Sequence, residues 1–549
     1  MNRVILTHVN SISRAAAGIV AIVSLGLVSC DKGPAEQHVP GVEPPATRGV
    51  EPPVDPVVKP PDDPPVAPPE PPPENSAAVR GWRYGDDLTS FIEKGPPGLQ
   101  ATCGKCHVTP APDVIVAGEW PRILGDMKRM RMLAGMPPDE IVVEGISDYY
   151  MKSAPSELKR LPLSLGTGGL EFRKEKLGSE KRQDAKVANV NVADVDGDGK
   201  PEVLVCDSGT NTVSIIRRSA SGWTEEVVAS CAAPGHTAVF DSDKDGDPDI
   251  AIAGVGKMQS TDNPIGYVLL LVNNGAKGWE KREIATAQPR VTDVEPADVD
   301  GDGDQDLIVG AFGWRKNGYI GWLRNDGATW ELVKIADRTG TIHVPVADLD
   351  ADGRPDFVAI VAQEAETVTA YMNKGGKFEA KILFEAGNPL FGSSGLELAD
   401  LDRDGDIDML FTNGDALSDP CAMPWPYHGV QWLENRGKLD FAYHDIGRCY
   451  GPFRAVAADL DGDGDTDVAV AMLFGMWDDN SGTGLLWYEN DGKMSFTRHD
   501  VPGPTGLITL AVGNLDGDGT PELVTGRMVF LSSTKNEDAL LKWSISKKK

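Results

Sequence analysis

Cysteine and histidine are scarce in this chain, seven and eight among 549 residues. The five residues Cys103-Gly104-Lys105-Cys106-His107 hold two of one and one of the other. Basic residues are also short: 53 Lys and Arg face 83 Asp and Glu, a formal charge of −30. A surface of that sign repels phosphate backbones and excludes nucleic acid as a partner. The apolar run from Ala15 to Val28 is too short to span a bilayer comfortably. No dinucleotide fingerprint occurs, and no acid, base and nucleophile converge outside a set of acidic loops, which leaves an enzymatic reading with little support.

What is present begins with Arg3 and Arg14 ahead of that run, the layout of a secretion signal over residues 1–30. The run closes in Leu27-Val28-Ser29-Cys30, which resembles the lipobox of bacterial lipoproteins. The resemblance implies cleavage before Cys30, its lipidation, and an extracytoplasmic protein anchored to a bacterial membrane, in the periplasm or at the cell surface. Residues 31–77 hold sixteen prolines and no Phe, Tyr or Trp. Such a segment cannot bury a core and reads as an extended, disordered tether. At about 3.1 Å per residue it reaches on the order of 100 Å.

The acidity is organised. Nine-residue loops begin at Asp194, Asp241, Asp298, Asp348, Asp400, Asp459 and Asn514, 47 to 59 residues apart, and hold 31 of the 83 acidic residues. Without those 31 carboxylates alone the formal charge would be near +1. Oxygen-bearing side chains occupy positions 1, 3, 5 and 9, with glycine at position 6. The sets are Asp194, Asp196, Asp198 and Glu202; Asp241, Asp243, Asp245 and Asp249; Asp298, Asp300, Asp302 and Asp306; and Asp348, Asp350, Asp352 and Asp356. They continue with Asp400, Asp402, Asp404 and Asp408; Asp459, Asp461, Asp463 and Asp467; and Asn514, Asp516, Asp518 and Glu522. That spacing wraps a hard cation, and calcium, up to seven ions, is expected.

Short apolar runs such as Val203-Leu204-Val205 follow the loops, and turns such as Asn325-Asp326-Gly327 and Asn490-Asp491-Gly492 come later in each repeat. Four antiparallel strands per repeat, at a period near 50, predict propeller blades. A strand with an aromatic residue and an aliphatic one five positions on recurs, as in Trp223 and Val228 or Phe441 and Ile446. It is missing after the last loop but present upstream of the first, as Phe172 and Leu177. That N-terminal strand is expected to complete the seventh blade and leave no open edge. The fold class is therefore mostly β, a seven-bladed β-propeller over residues 165–549, with a small all-α domain before it at 78–160. The loops resemble FG-GAP (integrin-α-like, or VCBS) repeats, whose propellers bind calcium in blade loops; Asn514 departs from the usual aspartate.

In the helical segment Cys103, Cys106 and His107 match the attachment motif of c-type cytochromes. The resemblance implies one covalent haem c with His107 on the iron. Zinc would need two further ligands, and the segment has no other cysteine or histidine. The stretch opened by Glu119-Trp120-Pro121 resembles monohaem domains whose ligand methionine lies seven residues after tryptophan, which selects Met127; Met136, before Pro137, is the other candidate. In an oxidising compartment Cys206–Cys231 and Cys421–Cys449 are the expected disulfides. The second brackets an insertion, Asp415 to Tyr450, whose Pro424-Trp425-Pro426-Tyr427-His428 reads either as packing or as a binding site. His236 and His343 precede their loops at similar places and read as structural hydrogen-bonding groups.

Three functions stay open: electron transfer with the propeller as scaffold or docking module, a propeller dehydrogenase passing electrons to the haem, and adhesion or glycan binding. A monomer is expected, with a redox protein, an exported protein or a glycan as partner.

Overall fold

The computed structural model describes residues 94–548, with Val79 and Arg80 ahead of them, except for 104–108, 134–135, 137–144, 158–160, 162–165, 179–185, 221, 315, 364, 417–424, 426, 474–482 and 529–537. The signal segment with Cys30, most of the tether, Cys106, His107 and Cys421 lie outside the described residues.

The acidic repeats fold into seven sheets, each built on a four-stranded antiparallel meander; in blade 4 the inner strand is split into Thr341–His343 and Val346–Ala347, and Val79–Arg80 pairs parallel with the outer strand. Blade 1 runs Val187–Ala193, Glu202–Asp207, Thr212–Ser219 and Gly222–Ser230, and the next five follow the same plan. The first strands touch one another in a closed cycle, from blade 1 through blade 7 and back, so they form the inner ring. The second strands carry the apolar runs after each loop. Asp249–Gly254, Asp306–Ala311 and Asp467–Met472 are buried along their whole length, as strands covered on both faces must be.

Blade 7 closes as the repeat count requires. Its first three strands are Leu507–Gly513, Glu522–Arg527 and Leu540–Lys547, and its outermost is Leu170–Lys176, paired antiparallel with Leu540–Lys547 in register from Leu170↔Lys547 to Lys176↔Leu541. The ring is held by seven apolar clusters, one between each pair of adjacent blades. Val205, Ile216, Val524 and Leu540 join blade 7 to blade 1. Val456, Trp487, Leu523 and Trp543 join blade 6 to blade 7. The recurring aromatic positions of the outer strands feed these seams, with Trp330 packed between blades 2 and 3 and Phe441 between blades 4 and 5.

The helical segment does not stand apart as the composition suggests: residues Ala77–Lys549 form one compact unit. Helices Leu99–Cys103, Trp120–Leu133 and Ile146–Ser153 share a core with Trp425 and Tyr427 from the blade 5 insertion. Three short helices cannot enclose enough apolar surface alone. The propeller supplies the missing wall, with Leu390 packed at its margin. The aromatics of the insertion are therefore packing: Trp425 and Tyr427 are 4% and 2% exposed and stack in parallel, centroids 6.1 Å apart. Among the described residues no helix is long and apolar enough to cross a membrane.

Candidate metal centres

The seven acidic loops share one hydrogen-bonding scheme. The oxygen side chain at position 1 accepts the N–H of the position 6 glycine: Asp194 from Gly199 at 2.8 Å, Asp348 from Gly353 at 2.8 Å, Asp459 from Gly464 at 3.1 Å, Asn514 from Gly519 at 3.3 Å. That bond needs the chain to double back, and the glycine does so at positive φ, between 82° at Gly199 and 100° at Gly464. The position 5 carboxylate accepts the N–H of position 7, as in Asp302 from Asp304 and Asp518 from Thr520, both at 2.8 Å.

Position 9 has a second task. Its carboxylate is buried and accepts the N–H of position 2 through one oxygen: Asp306 from Val299, Asp408 from Leu401 and Asp467 from Leu460, each at 3.0 Å. Through the other it accepts the N–H of the asparagine that ends the third strand: Asn325 and Asn435 at 2.7 Å, Asn490 at 2.9 Å. One side chain thereby ties the loop to the hairpin beyond it, which explains why both the loop and the later Asn-x-Gly turn recur together. Burial pushes the Asp306, Asp356 and Asp408 carboxyls up to about 6 and Asp467 up to about 7.

These loops fit a hard divalent cation. Donor oxygens of Asp194, Asp196 and Glu202 lie within 4.8 Å of one another, as do those of Asp241, Asp243 and Asp249, of Asp298, Asp300 and Asp302, and of Asp348, Asp350 and Asp356. Buried oxygens of Asp241, Asp350 and Asp400 have no hydrogen-bond partner. Oxygens that converge without protons between them repel unless an ion joins them.

The seventh loop differs. Lys542, 2% exposed, directs its ammonium to Asp516 and lies 3.6 Å from Glu522. Arg218 from blade 1 also contacts Asp516. A covalently tethered positive charge stands among the ligands expected for the seventh ion, and nothing in the loop itself signals it, because Lys542 lies twenty residues past the last loop position. Lys542→Met leaves two carboxylates without their partner and should cost about 3 kcal/mol in denaturant unfolding. Added calcium should restore part of that loss; equal stability of the two proteins without calcium would show that the ammonium does not hold this loop.

The helical segment brings together part of what its motif calls for. Cys103, the last residue of its helix, and Met127, on the Trp120–Leu133 helix, both pack on the cluster formed by Leu99, Trp120, Ile123, Ile146 and Tyr150. Trp120 Nε1 donates to the Pro112 carbonyl at 2.8 Å, and the Tyr150 hydroxyl to that of Pro110 at 2.7 Å. Both fix the loop after the motif, and the two rings lie 4.0 Å apart. Arg131 donates to the Thr102 carbonyl and clamps the two helices beside Cys103. Met136 sits where the chain leaves the second helix, its N–H on the Arg131 carbonyl at 3.1 Å.

Cys206 and Cys231 are unbridged, although both pack in the seam between blades 1 and 2; Cys449 has no disulfide among the described residues, and its expected partner Cys421 lies outside them. Burial raises all three thiols, Cys449 to about 11, so none is a nucleophile at neutral pH.

Residues 194–252, 241–309, 298–359 and 348–411 match the family of FG-GAP-like repeats. No curated protein matches the chain. Two solved structures of BBS1N in complex with ARL6DN, soaked with lead or with mercury, are 13% identical to it. They cover 65% and 66% of this chain and 92% of their own, at TM-scores of 0.40 and 0.41. Blades 6 and 7 repeat the loop geometry of the matched span. Residues 194–411 are thus similar to FG-GAP-like repeats, and the chain folds as a seven-bladed β-propeller.

Proposed function

We propose that this chain is a lipid-anchored, extracytoplasmic electron-transfer protein, in which a calcium-stiffened propeller holds a haem c segment and offers a docking platform to a redox partner. The observation that carries the reading is the shared core of Cys103, Met127 and the blade 5 aromatics. In it the Cys103 thiol and the Met127 thioether lie against one apolar wall that belongs to the scaffold. Cys103 and Cys106 would hold the porphyrin by thioethers, and His107 and Met127 would hold its iron. Haem bound there would supply a one-electron couple. The chain's own residues do the rest: Trp120, Tyr150 and Trp425 exclude water, and the clamp from Arg131 to the Thr102 carbonyl keeps the two ligand-bearing helices together. Cys30 would carry the lipid, and the proline tether sets the reach. In the six loops other than the seventh, calcium would join carboxylates at positions 1, 3, 5 and 9.

The test is the oxidised and reduced absorption spectrum of the full-length chain from a host able to attach haem. A low-spin c-type spectrum that survives denaturation is expected. Met127→Ala should abolish the low-spin form, whereas Met136→Ala should leave it. A colourless protein despite competent maturation would end the electron-transfer reading and turn the propeller to binding or adhesion.

A further inference from the structure

One residue per blade stands five positions before each acidic loop, on the inner strand: Asn189, His236, Asp293, His343, Gly395, Arg454 and Thr509. In every blade the strand register shifts immediately before this residue, between Val187 and Asn189, Pro234 and His236, Val291 and Asp293, and so on to Leu507 and Thr509. A bulge at one register position re-aims the side chain that follows. Because the inner strands contact one another around the ring, these seven positions form one layer about the axis of the propeller.

Blades 2, 3 and 4 put a metal-binding donor set into that layer. His236 Nδ1 lies 2.8 Å from Asp293 Oδ1, and His343 Nδ1 lies 3.4 Å from Asp293 Oδ2. Glu295, two residues on and therefore on the same strand face, brings Oε1 to 4.0 Å from His236 Nε2. One donor atom from each of His236, Asp293 and Glu295 lies within 4.8 Å of the others; ligands 2.0–2.1 Å from one ion stand roughly 3 to 3.5 Å apart, so the set has to draw together by about 1 Å on binding. Asp293 is 1% exposed, and its Oδ2 also accepts the Val344 N–H at 2.8 Å, so its carboxylate is fixed. His236 Nδ1 is shielded from solvent and has no correctly directed hydrogen bond despite its short distance to Asp293; Asn189 Oδ1, in the same layer on the neighbouring blade, is likewise unsatisfied. Arg454 of the same layer pairs with Glu397 at 3.7 Å, and its charge also acts on Glu295, His236 and His343. Burial, with Asp293 beside it, pushes the Glu295 carboxyl up to about 7. The side chains of His236, His343 and Glu295 keep 14%, 20% and 27% exposure, so an ion can reach them.

We infer that His236, Asp293, Glu295 and His343 form an axial site for a divalent transition metal of the zinc class. Two imidazoles with carboxylates select such a metal over calcium, which takes oxygen ligands. The site is separate in position and chemistry from the blade loops and from the haem motif, and it does not depend on either reading. An ion there staples three blades through the middle of the ring.

The probe is zinc alone, added to the full-length chain in excess calcium, in a Cys103→Ser/Cys106→Ser background that removes the thiols of the motif. One tightly held zinc per chain is expected after dialysis. Its X-ray absorption should show imidazole and oxygen ligands near about 2.0–2.1 Å and no sulfur near about 2.3 Å. His236→Gln/His343→Gln should weaken binding by at least ~100-fold. No retained zinc, a sulfur shell, or undiminished binding by the folded double variant would each overturn the site and leave a hydrogen-bonded cluster only. Should that variant fail to fold, the absorption spectrum of the parent protein decides alone.

Discussion

Chelating divalent cations should lower the melting temperature of the propeller by ~10 °C or more. Six loops each gather carboxylates from within nine residues, and the unpartnered oxygens of Asp241 and Asp400 mark where repulsion goes uncompensated, whereas Lys374 offsets part of it at Asp350. A site filled at about 100 times its dissociation constant adds about 2.7 kcal/mol to folding, so six add roughly 16 kcal/mol. In a domain this large each kcal/mol shifts the midpoint by roughly 1–2 °C, by extension of the trend with size. Differential scanning calorimetry with calcium, with chelator, and with calcium restored measures this directly. Coincident melts in all three would remove calcium from the description of these loops. The Lys542 loop should be the least sensitive, because its ammonium is part of the chain.

The second large effect concerns closure of the ring. Leu170 and Leu177, 2% and 3% exposed, sit at the two ends of the N-terminal strand of blade 7. They enter different seams, Leu170 between blades 6 and 7 and Leu177 between blades 7 and 1. Each change to alanine should cost about 2–5 kcal/mol, and, since the seams are separate, the two costs should add. The double variant should also associate as protein concentration rises, because a loosened strand exposes the edge of Leu540–Lys547. Arg173→Glu, exposed on the same strand, should stay within about 0.5 kcal/mol of the parent. Unfolding midpoints and light scattering read both outcomes. A double variant that melts with the parent and stays monomeric would mean that the three C-terminal strands of blade 7 suffice.

The haem-segment reading joins these two through the scaffold. Trp425 and Tyr427 belong to blade 5 yet complete the core around Cys103 and Met127. Loosening the ring by calcium removal should therefore also disturb the absorption spectrum, at lower temperature than it disturbs the far-ultraviolet signal of the strands.

The sequence by itself determined the repeat, the loop chemistry, the count of blades and the strand that closes the ring. Each of these is written locally: an acidic loop carries its oxygens and its turning glycine within nine residues, and a strand exposes its aromatic and aliphatic pair five residues apart. Position 9 was legible as one more oxygen of the loop, but its tie to the asparagine of the next hairpin was not, since that bond spans 17 to 27 residues. Three features were decided only by tertiary structure. Lys542 reaches Asp516 across a hairpin, with no pattern to announce it. The Trp425 and Tyr427 rings find the helices because a minimal helical core must borrow a wall. The axial layer draws one residue from each blade, separated by 47 to 59 positions and differing in type from blade to blade. No period in the sequence reveals such a layer. Only closure of the ring, which turns seven equivalent backbone positions toward one axis, brings His236, Asp293, Glu295 and His343 together.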